Sequence, residues 1–224
     1  MSQDNPMVFV VDDDPGLRQS LARLIRSAGM EVKTFASPQE LLDQGPPPGP
    51  GCLILDVHLP GLNGLELQQE LAARKICTPI IFITGQGDIP TSVKAMKGGA
   101  IDFLTKPFKA SDLLAGIQEA FNKDRQFRTT QIEIDQIQDR LHSLTPRERE
   151  VLNLVVTGMM NKQVAAELGV SEKTIKVHRS RVMHKMQVAS IADLVRAAER
   201  VKSESTVPNA DTTKVPLPVR LPIH

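Results

Sequence analysis

The stretch FVVDDDP, residues 9–15, ends an apolar run with three consecutive carboxylates. Neighbouring carboxylates repel one another, so such a cluster is stable when it is solvated or when it binds a cation. A second apolar run, CLILD at residues 52–56, also ends in an aspartate. The repetition predicts two buried strands whose carboxyl ends share an acidic site.

The first half of the chain alternates apolar runs with amphipathic patterns, several of which begin with a capping residue and a proline, as in Asp14-Pro15 and Ser37-Pro38. This alternation is typical of a parallel sheet with helices on both faces. We predict strands over Met7–Asp12, Glu31–Phe35, Cys52–Asp56, Ile80–Thr84 and Asp102–Thr105. Helices are predicted over Pro15–Ala28, Pro38–Asp43, Leu65–Lys75, Thr91–Lys97 and Lys109–Phe121.

Polar side chains converge at one edge of this predicted sheet, because ligands of open parallel sheets bind at the carboxyl ends of the strands. If Asp14 caps a helix, the residues left for this edge are Asp12, Asp13, Asp56, Thr84 and Lys106. Three carboxylates in one pocket require a cation, and oxygen ligands suit Mg²⁺. One carboxylate can then act as a nucleophile, while the lysine and threonine donate to phosphoryl oxygens. Each of these residues alone has an ordinary structural explanation. The hypothesis of a phosphoryl-transfer site therefore depends on their occurring together at the predicted strand ends.

The composition excludes several classes of protein. Of the 224 residues, 41% are hydrophobic and 24% charged, which is ordinary for one or two globular domains. Aromatic residues are only 3%, with no Trp or Tyr, which argues against a single-strand nucleic-acid reader built on stacking. No apolar run approaches the roughly 20 residues of a membrane span, and MSQDNP is not a signal peptide. We expect a cytoplasmic protein whose Cys52 and Cys77 are reduced core thiols.

Charge is unevenly distributed between the two halves. Residues 1–124 carry 11 basic and 15 acidic side chains, whereas residues 141–204 carry 11 basic and 7 acidic ones. An acidic half joined to a basic half indicates different partners, and the basic half favours a polyanion.

The basic half contains capping and turn residues at the spacing of a helix-turn-helix. Thr145, Pro146 and Glu148 predict a capped helix start. In NKQVAAELGVSEKTIKVHRSRVMHKM, residues 161–186, Gly169 suits the left-handed end of one helix and Ser171 caps the next. By composition alone, a helical bundle with a solvated basic face would explain this segment, and the spacing of the caps favours the helix-turn-helix.

The second helix of this motif would enter the major groove of DNA. Phosphates and base edges would be met by the exposed side of this helix and by the start of the helix before it. The candidate contacts are Asn161, Lys162, Lys173, Thr174, Lys176, Val177, Ser180 and Arg181.

The motifs FVVDDD, LILDVHLPGLNG, IIFITGQGD and FLTKPF resemble the receiver domain of bacterial two-component response regulators over residues 5–124. The resemblance implies a flavodoxin-like doubly wound α/β fold with Asp56 as the phosphoacceptor. It also implies that Asp12, Asp13 and Asp56 bind Mg²⁺ with the backbone carbonyl of His58. The groups that sense the phosphoryl group would be Thr84 and Lys106.

Phe103 occupies the position at which receiver domains carry a switching aromatic residue, often a tyrosine. As a phenylalanine it lacks the hydroxyl group, and an ordinary core role for this ring stays open.

Residues 141–204 resemble the four-helix, all-α DNA-binding domain of the LuxR/NarL family. In the first half of the chain, the stretch GQGDIPTSVKAMKGGAIDFLTKPF resembles the FixJ-like subgroup of these response regulators. The expected organisation is a receiver at 1–124, a linker helix at 125–140, the helix-turn-helix domain at 141–204 and a disordered tail at 205–224. The implied partners are a sensor histidine kinase, double-stranded promoter DNA, RNA polymerase and a second copy of the chain after phosphorylation. The implied function is phosphorylation-activated transcriptional regulation, most simply activation, without enzymatic turnover beyond self-catalysed phosphotransfer and dephosphorylation.

Two alternatives stay open from the sequence. A HAD-type phosphatase would use the Asp12-x-Asp14 motif, but the residue two places after Asp14 is Gly16 and Asp56 would be unexplained. A constitutive DNA-binding protein would use the first domain only for dimerisation, which the full set of phosphoryl-transfer residues argues against.

Overall fold

The chain divides into two compact units between Thr130 and Gln131, in a computed structural model that describes residues 5–45, 49–85 and 89–205. Within those described residues, none of the helices is long and apolar enough to cross a bilayer.

A five-stranded parallel sheet forms the centre of the first unit, in the order β2-β1-β3-β4-β5. The interior strands read as apolar runs because helices cover both of their faces. The strands are β1 (Met7–Val11), β2 (Glu31–Phe35), β3 (Gly51–Asp56), β4 (Ile80–Thr84) and β5 (Asp102–Thr105).

The helices of the first unit build one apolar layer on each face of the sheet. Phe9, Leu53 and Phe82 belong to one layer, and Val10, Ile54 and Ile81 belong to the other. Successive strand residues point to opposite faces, so one strand serves both layers. The helices are α1 (Pro15–Ser27), α2 (Pro38–Gln44), α3 (Gly64–Ala73), α4 (Ile89–Lys97) and α5 (Ala110–His142).

The predicted α/β class is confirmed, and all predicted element ends except that of α5 lie within two residues of the observed ones. The predicted cap at Asp14 is also confirmed, since its Oδ1 atom accepts from the backbone N–H of Gly16 at 2.7 Å. The main difference is α5, a single helix over residues 110–142 where the sequence suggests a helix to Phe121 and then a linker helix.

The second unit is helical. Its apolar core holds Ile137 and Leu141 of α5 together with side chains of the later helices, including Ile175, Val182 and Met186. The later helices are α6 (Pro146–Val156), α7 (Asn161–Glu167), α8 (Glu172–Met186) and α9 (Ile191–Ser205).

The turn between α7 and α8 has the predicted caps. Gly169 has a φ of +64°, and the Ser171 side chain accepts from the backbone N–H of Thr174 at 3.1 Å. The left-handed φ suits glycine because it has no Cβ atom. The structure therefore contains the helix-turn-helix predicted from Gly169 and Ser171.

Two further predictions have different outcomes. Cys52 is a buried core thiol, but Cys77 is exposed, so the expectation of a core position for Cys77 was wrong. It follows a left-handed Lys75 in the loop after α3, outside the apolar layers. The predicted disordered tail, residues 205–224, lies outside the described residues except for Ser205, which ends α9.

Candidate functional site

The acidic site lies where the strand order of the sheet reverses. β1 has β2 on one side and β3 on the other, so the loops after β1 and β3 leave the sheet next to each other. Ligand sites of doubly wound sheets form at such a switch point. Asp12 and Asp13 follow β1, and Asp56 ends β3.

Asp12 is fully buried and bonded through both carboxylate oxygens and its backbone carbonyl. Its Oδ1 accepts from the Asp14 N–H at 2.8 Å, and its Oδ2 accepts from Lys106 Nζ at 3.0 Å. Arg18 of α1 donates to the Asp12 carbonyl oxygen at 2.5 Å. These contacts fix both the carboxylate and the peptide group that leads to Asp13.

Asp56 shares the same lysine. Its Oδ2 lies 2.5 Å from Lys106 Nζ, while its Oδ1 accepts from the His58 backbone N–H at 2.9 Å. Asp56 is only 6% exposed, so its carboxylate is largely removed from bulk water. Lys106 follows β5 and therefore reaches the two acidic strand ends from across β4.

Burial and hydrogen bonds act in opposite directions on the pKa values of this site. The pKa of Asp12 is raised, because burial penalises its charged form more than the bonds from Lys106 and Asp14 favour it. Burial alone would lower the pKa of Lys106, but its hydrogen bonds to Asp56 and Asp12 outweigh this effect and raise it. The lysine therefore stays charged between carboxylates that are poorly solvated.

The three carboxylates suit a hard cation. Single oxygen atoms of Asp12, Asp13 and Asp56 all lie within 4.8 Å of one another, and Asp13 is exposed while the other two are buried. A pocket with a few oxygen ligands and an open side suits Mg²⁺, which retains several of its waters. The donor set thus fits the metal predicted from the sequence.

Thr84 lies on β4, next to β3, and Phe103 lies on the edge strand β5. Thr84 is fully buried at the end of β4, and its Oγ1 lies 3.2 Å from Nδ1 of His58. Phe103 of β5 is partly buried, packs against one apolar layer, and has its ring centroid 6.4 Å from that of Phe82. Thr84 is therefore close to the acidic loops, whereas Phe103 is a half-buried ring of the sheet edge.

A second candidate site is the surface of α7 and α8 in the second unit. Five of the eight residues predicted for DNA contact lie on the exposed surface of α8: Lys173, Lys176, Val177, Ser180 and Arg181. Thr174 is half-buried near the start of α8, and its hydroxyl lies 2.8 Å from that of Ser171. Lys162 is exposed at the start of α7, so a basic surface surrounds Val177.

Asn161 has a protein partner that sequence reasoning missed. Its Oδ1 accepts from Nη1 of Arg179 at 2.6 Å, which joins the start of α7 to α8. An amide that holds a guanidinium group positions a cation on the helix surface. The sequence contains no local signal for this pair, because the two residues are 18 positions apart.

Family models match both units. The model described as "Response regulator receiver domain" matches residues 8–118, and the model described as "Bacterial regulatory proteins, luxR family" matches residues 142–198.

Similar proteins cover nearly the whole chain. Nodulation protein W of Bradyrhizobium diazoefficiens is 52% identical over 86% of this chain and 85% of its own length. Transcriptional regulatory protein FixJ of Azorhizobium caulinodans is 41% identical over 85% of this chain and 90% of its own. The solved structure of response regulator StyR has a TM-score of 0.76, is 47% identical, and covers 88% of this chain and 99% of that one.

This chain belongs to the LuxR-type response regulators. It combines a receiver domain with a helix-turn-helix DNA-binding domain and is a phosphorylation-dependent regulator of transcription, a class without enzymatic turnover. The phosphatase alternative loses its basis, because Asp14 caps α1 through its carboxylate instead of joining the acidic site.

Proposed function

We propose that Asp56 accepts a phosphoryl group from a sensor histidine kinase, and that this modification promotes dimerisation and promoter binding. The observation that carries the proposal is the convergence of three carboxylates and one lysine at the switch point of the sheet. Asp56 is the proposed nucleophile because it ends β3, contacts Lys106 and has one carboxylate oxygen held by the His58 N–H.

In the proposed reaction, a carboxylate oxygen of Asp56 forms a bond to phosphorus as the bond between phosphorus and the kinase histidine breaks. The freed imidazole nitrogen keeps the electron pair of that bond. Lys106 and the Thr84 hydroxyl then donate to the oxygens of the new aspartyl phosphate. Lys106 already lies beside Asp56, which means that only a short displacement is needed.

The side chains of Asp12, Asp13 and Asp56, with the backbone carbonyl of His58, would hold Mg²⁺. When bound, Mg²⁺ would neutralise charge on the transferred group and on the carboxylates. The buried bonds of Asp12 to Lys106 and Asp14 keep its carboxylate oriented toward the site. The bond from Arg18 to the Asp12 carbonyl holds the start of the acidic loop.

For DNA recognition, we propose that α8 enters the major groove. Lys173, Lys176 and Arg181 are exposed cations for phosphates and guanine edges, and Val177 is an exposed apolar residue suited to a thymine methyl group. The Asn161–Arg179 bond would fix one more cation beside them. Lys162, Thr174 and Ser180 complete the proposed interface.

The proposed dimer face is that of α4, β5 and α5. α4 buries only Ala95, whereas Ile89, Val93 and Met96 are exposed at intervals of four and three residues. Such spacing forms an apolar stripe along one side of a helix. Phe103, partly buried on β5, is proposed to change its packing when the receiver switches.

We keep the domain limits of 1–124 for the receiver, 125–140 for the linker and 141–204 for the DNA-binding domain as a proposal about functional parts. The promoter and RNA polymerase are bacterial cytoplasmic partners, so we place the protein in the cytoplasm.

The test is to add beryllofluoride and Mg²⁺ to the full chain and to follow its mass in solution and its binding to promoter DNA. We expect wild type to dimerise and to bind DNA more tightly, while Asp56→Asn does neither. A response that persists in Asp56→Asn would move the phosphoacceptor elsewhere. If the analogue leaves the DNA affinity of both proteins unchanged, the constitutive DNA-binding alternative would be favoured.

A further inference from the structure

The Arg179 side chain of α8 lies on the flank of that helix that faces the start of α7. It comes four residues after the buried Ile175 and three after the exposed Lys176, so it lies between the two sides of α8 and is half-buried. Its Nη1 atom donates to Oδ1 of Asn161 at 2.6 Å. This bond holds the guanidinium group against the first helix of the helix-turn-helix.

The charge of Arg179 is not balanced by a carboxylate in the described part of the chain. A guanidinium group has several N–H donors, and the bond to Asn161 uses one of them. None of the ion pairs among the described residues includes Arg179. By comparison, Arg196 of α9 is exposed and pairs with Asp193. A partly desolvated cation without an acid partner favours the binding of an anion.

The neighbouring helices favour a phosphate of the DNA backbone as that anion. In a helix-turn-helix, the second helix enters the major groove and the first helix crosses the DNA backbone. The bond at the start of α7 directs the Arg179 guanidinium group to the backbone side, away from the exposed surface that carries Lys176 and Val177. Phosphate contacts position a protein on DNA without reading its sequence.

Resting on the proposed entry of α8 into the major groove, we infer that Arg179 contacts a DNA phosphate and that Asn161 is a positioning residue that acts through Arg179. The amide oxygen of Asn161 orients the guanidinium group before DNA binds, so less side-chain entropy is lost on binding. The sequence alone predicts that Asn161 contacts DNA itself, whereas in the structure its amide oxygen already has Arg179 as a partner.

The two residues should affect DNA binding in different ways. Arg179→Gln removes a charge and should lower the slope of log affinity against log salt by about 1. Asn161→Ala keeps that charge, so the slope should be unchanged, while the affinity should fall about 2- to 12-fold from the cost of ordering one free side chain. Arg179→Lys keeps the charge but lacks the planar fork of N–H donors, so it should keep the slope and bind more weakly.

The experiment is a salt titration of DNA binding by the full chain, with beryllofluoride and Mg²⁺ held at fixed concentrations. The probes are two short labelled duplexes, one rich in A·T pairs and one rich in G·C pairs, and anisotropy of the label gives each dissociation constant. Arg179→Gln should weaken binding to both duplexes by the same factor, because both present the same phosphates. The matched control is Arg196→Gln, which removes an arginine that already has an acid partner and should leave the slope unchanged.

A double replacement separates positioning from direct contact. In an Arg179→Gln background, Asn161→Ala should cause no further loss of DNA affinity, because the group that Asn161 orients is gone. A loss that persists in this background would make Asn161 a DNA contact of its own and overturn its positioning role. An unchanged slope in Arg179→Gln would overturn the phosphate contact, and a loss confined to the G·C-rich duplex would assign Arg179 to guanine instead.

Urea unfolding of the same variants separates DNA binding from folding. If the bond between Asn161 and Arg179 only joins α7 to α8, its loss should lower the free energy of unfolding and leave the salt slope of the folded protein unchanged, which would overturn the inference. If Arg179→Gln does not fold, Asn161→Ala and Arg179→Lys still decide, because wild-type DNA affinity in both would contradict the proposed roles.

The same titration distinguishes this inference from the proposed function. If wild type binds neither duplex, or if Lys176→Ala and Arg179→Gln both leave the slope unchanged, the proposed DNA interface itself fails. If Lys176→Ala lowers the slope and Arg179→Gln does not, α8 still binds DNA and only the role assigned to Arg179 is wrong.

Discussion

Each domain of this molecule pairs a lysine with buried acids, but the two sites differ in charge balance. In the receiver, Lys106 contacts both Asp12 and Asp56, and Asp13 lies close by. In the DNA-binding domain, Lys185 contacts one buried acid, Glu148, at 2.7 Å. The first cluster has three acids for one lysine, whereas the second is balanced one to one.

The surplus of acids marks the receiver cluster as a place for a ligand. Buried charges are stable only when they are paired and hydrogen-bonded, and one lysine cannot neutralise three carboxylates. Glu148, by contrast, also accepts from the Thr145 N–H at 2.9 Å and completes the capping box of α6. We infer that the acid-rich cluster around Lys106, the unbalanced cluster, binds a ligand, and that the Lys185–Glu148 pair, the balanced pair, stabilises the fold. The following experiments test this difference.

The largest expected effect is at the unbalanced cluster. Asp56→Asn should abolish phosphorylation by a cognate kinase or a small phosphoryl donor, because an amide is not a competent nucleophile here. The measurement is incorporation of labelled phosphate into the full chain. Asp14→Asn is the matched control, since it removes a charge from the neighbouring acidic stretch while asparagine caps α1 equally well. A labelled Asp56→Asn protein would place the acceptor at another residue.

Glu148→Gln should have the largest effect on stability. It leaves Lys185 without its buried partner and should lower the free energy of unfolding by roughly 3 kcal/mol. Urea unfolding followed by circular dichroism measures this loss. The control is Glu150→Gln, whose exposed pair with Arg147 should contribute less than about 1 kcal/mol. Equal losses in the two variants would refute the structural role of the buried pair.

The balanced pair also predicts a pH dependence. Hydrogen bonds from Lys185 and Thr145 lower the pKa of Glu148 from 4.5 to about 2. Since the folded pKa lies below the unfolded one, this stabilisation is present above pH 4.5 and is lost as the pH falls toward 2. Unfolding of wild type and Glu148→Gln across this window should show the difference between them shrink at acid pH. A constant difference would mean that charge at Glu148 is not the cause.

Magnesium should stabilise the unbalanced cluster and leave the balanced one unaffected. A ligand that binds only the folded state at 100 times its dissociation constant adds about 2.7 kcal/mol. We therefore expect Mg²⁺ to raise the melting temperature of wild type and of Asp14→Asn, and to raise that of Asp13→Asn much less. The check is thermal unfolding over a series of Mg²⁺ concentrations. An equal rise in Asp13→Asn would remove Asp13 from the metal site.

Local sequence signals predicted the elements and the convergence of the acids. Caps, prolines and apolar runs act over a few residues, and parallel strands then bring Asp12 and Asp56 together without further information. The signal for the continuous α5 was also local, since no Gly or Pro occurs between Gly116 and Pro146. The prediction ended one helix at Phe121 and began a linker helix at residue 125 because the intervening residues are polar, although polar residues alone do not end a helix.

Contacts between distant residues could not be predicted in this way. Glu148 was expected to cap α6, but its burial depends on Lys185, which is 37 positions away in the sequence. Asp124 is likewise buried because it accepts from the Gly51 N–H at 2.9 Å and from Arg128. Such partners depend on tertiary packing, which a single sequence does not report.

The smallest expected effect is on the exposed surface of α8. Lys176 is exposed, and its nearest acid, Glu172, is 3.9 Å away, so the side chain can turn toward a phosphate at little cost. Lys176→Ala should reduce the salt slope of DNA binding by about 1 without changing the fold. Lys123→Ala, which removes an exposed lysine of the receiver, should leave the slope unchanged. A salt titration of Lys176→Ala that matches wild type would exclude this lysine from phosphate contact, and the basic surface around Val177 would then have to bind DNA through Lys173 and Arg181.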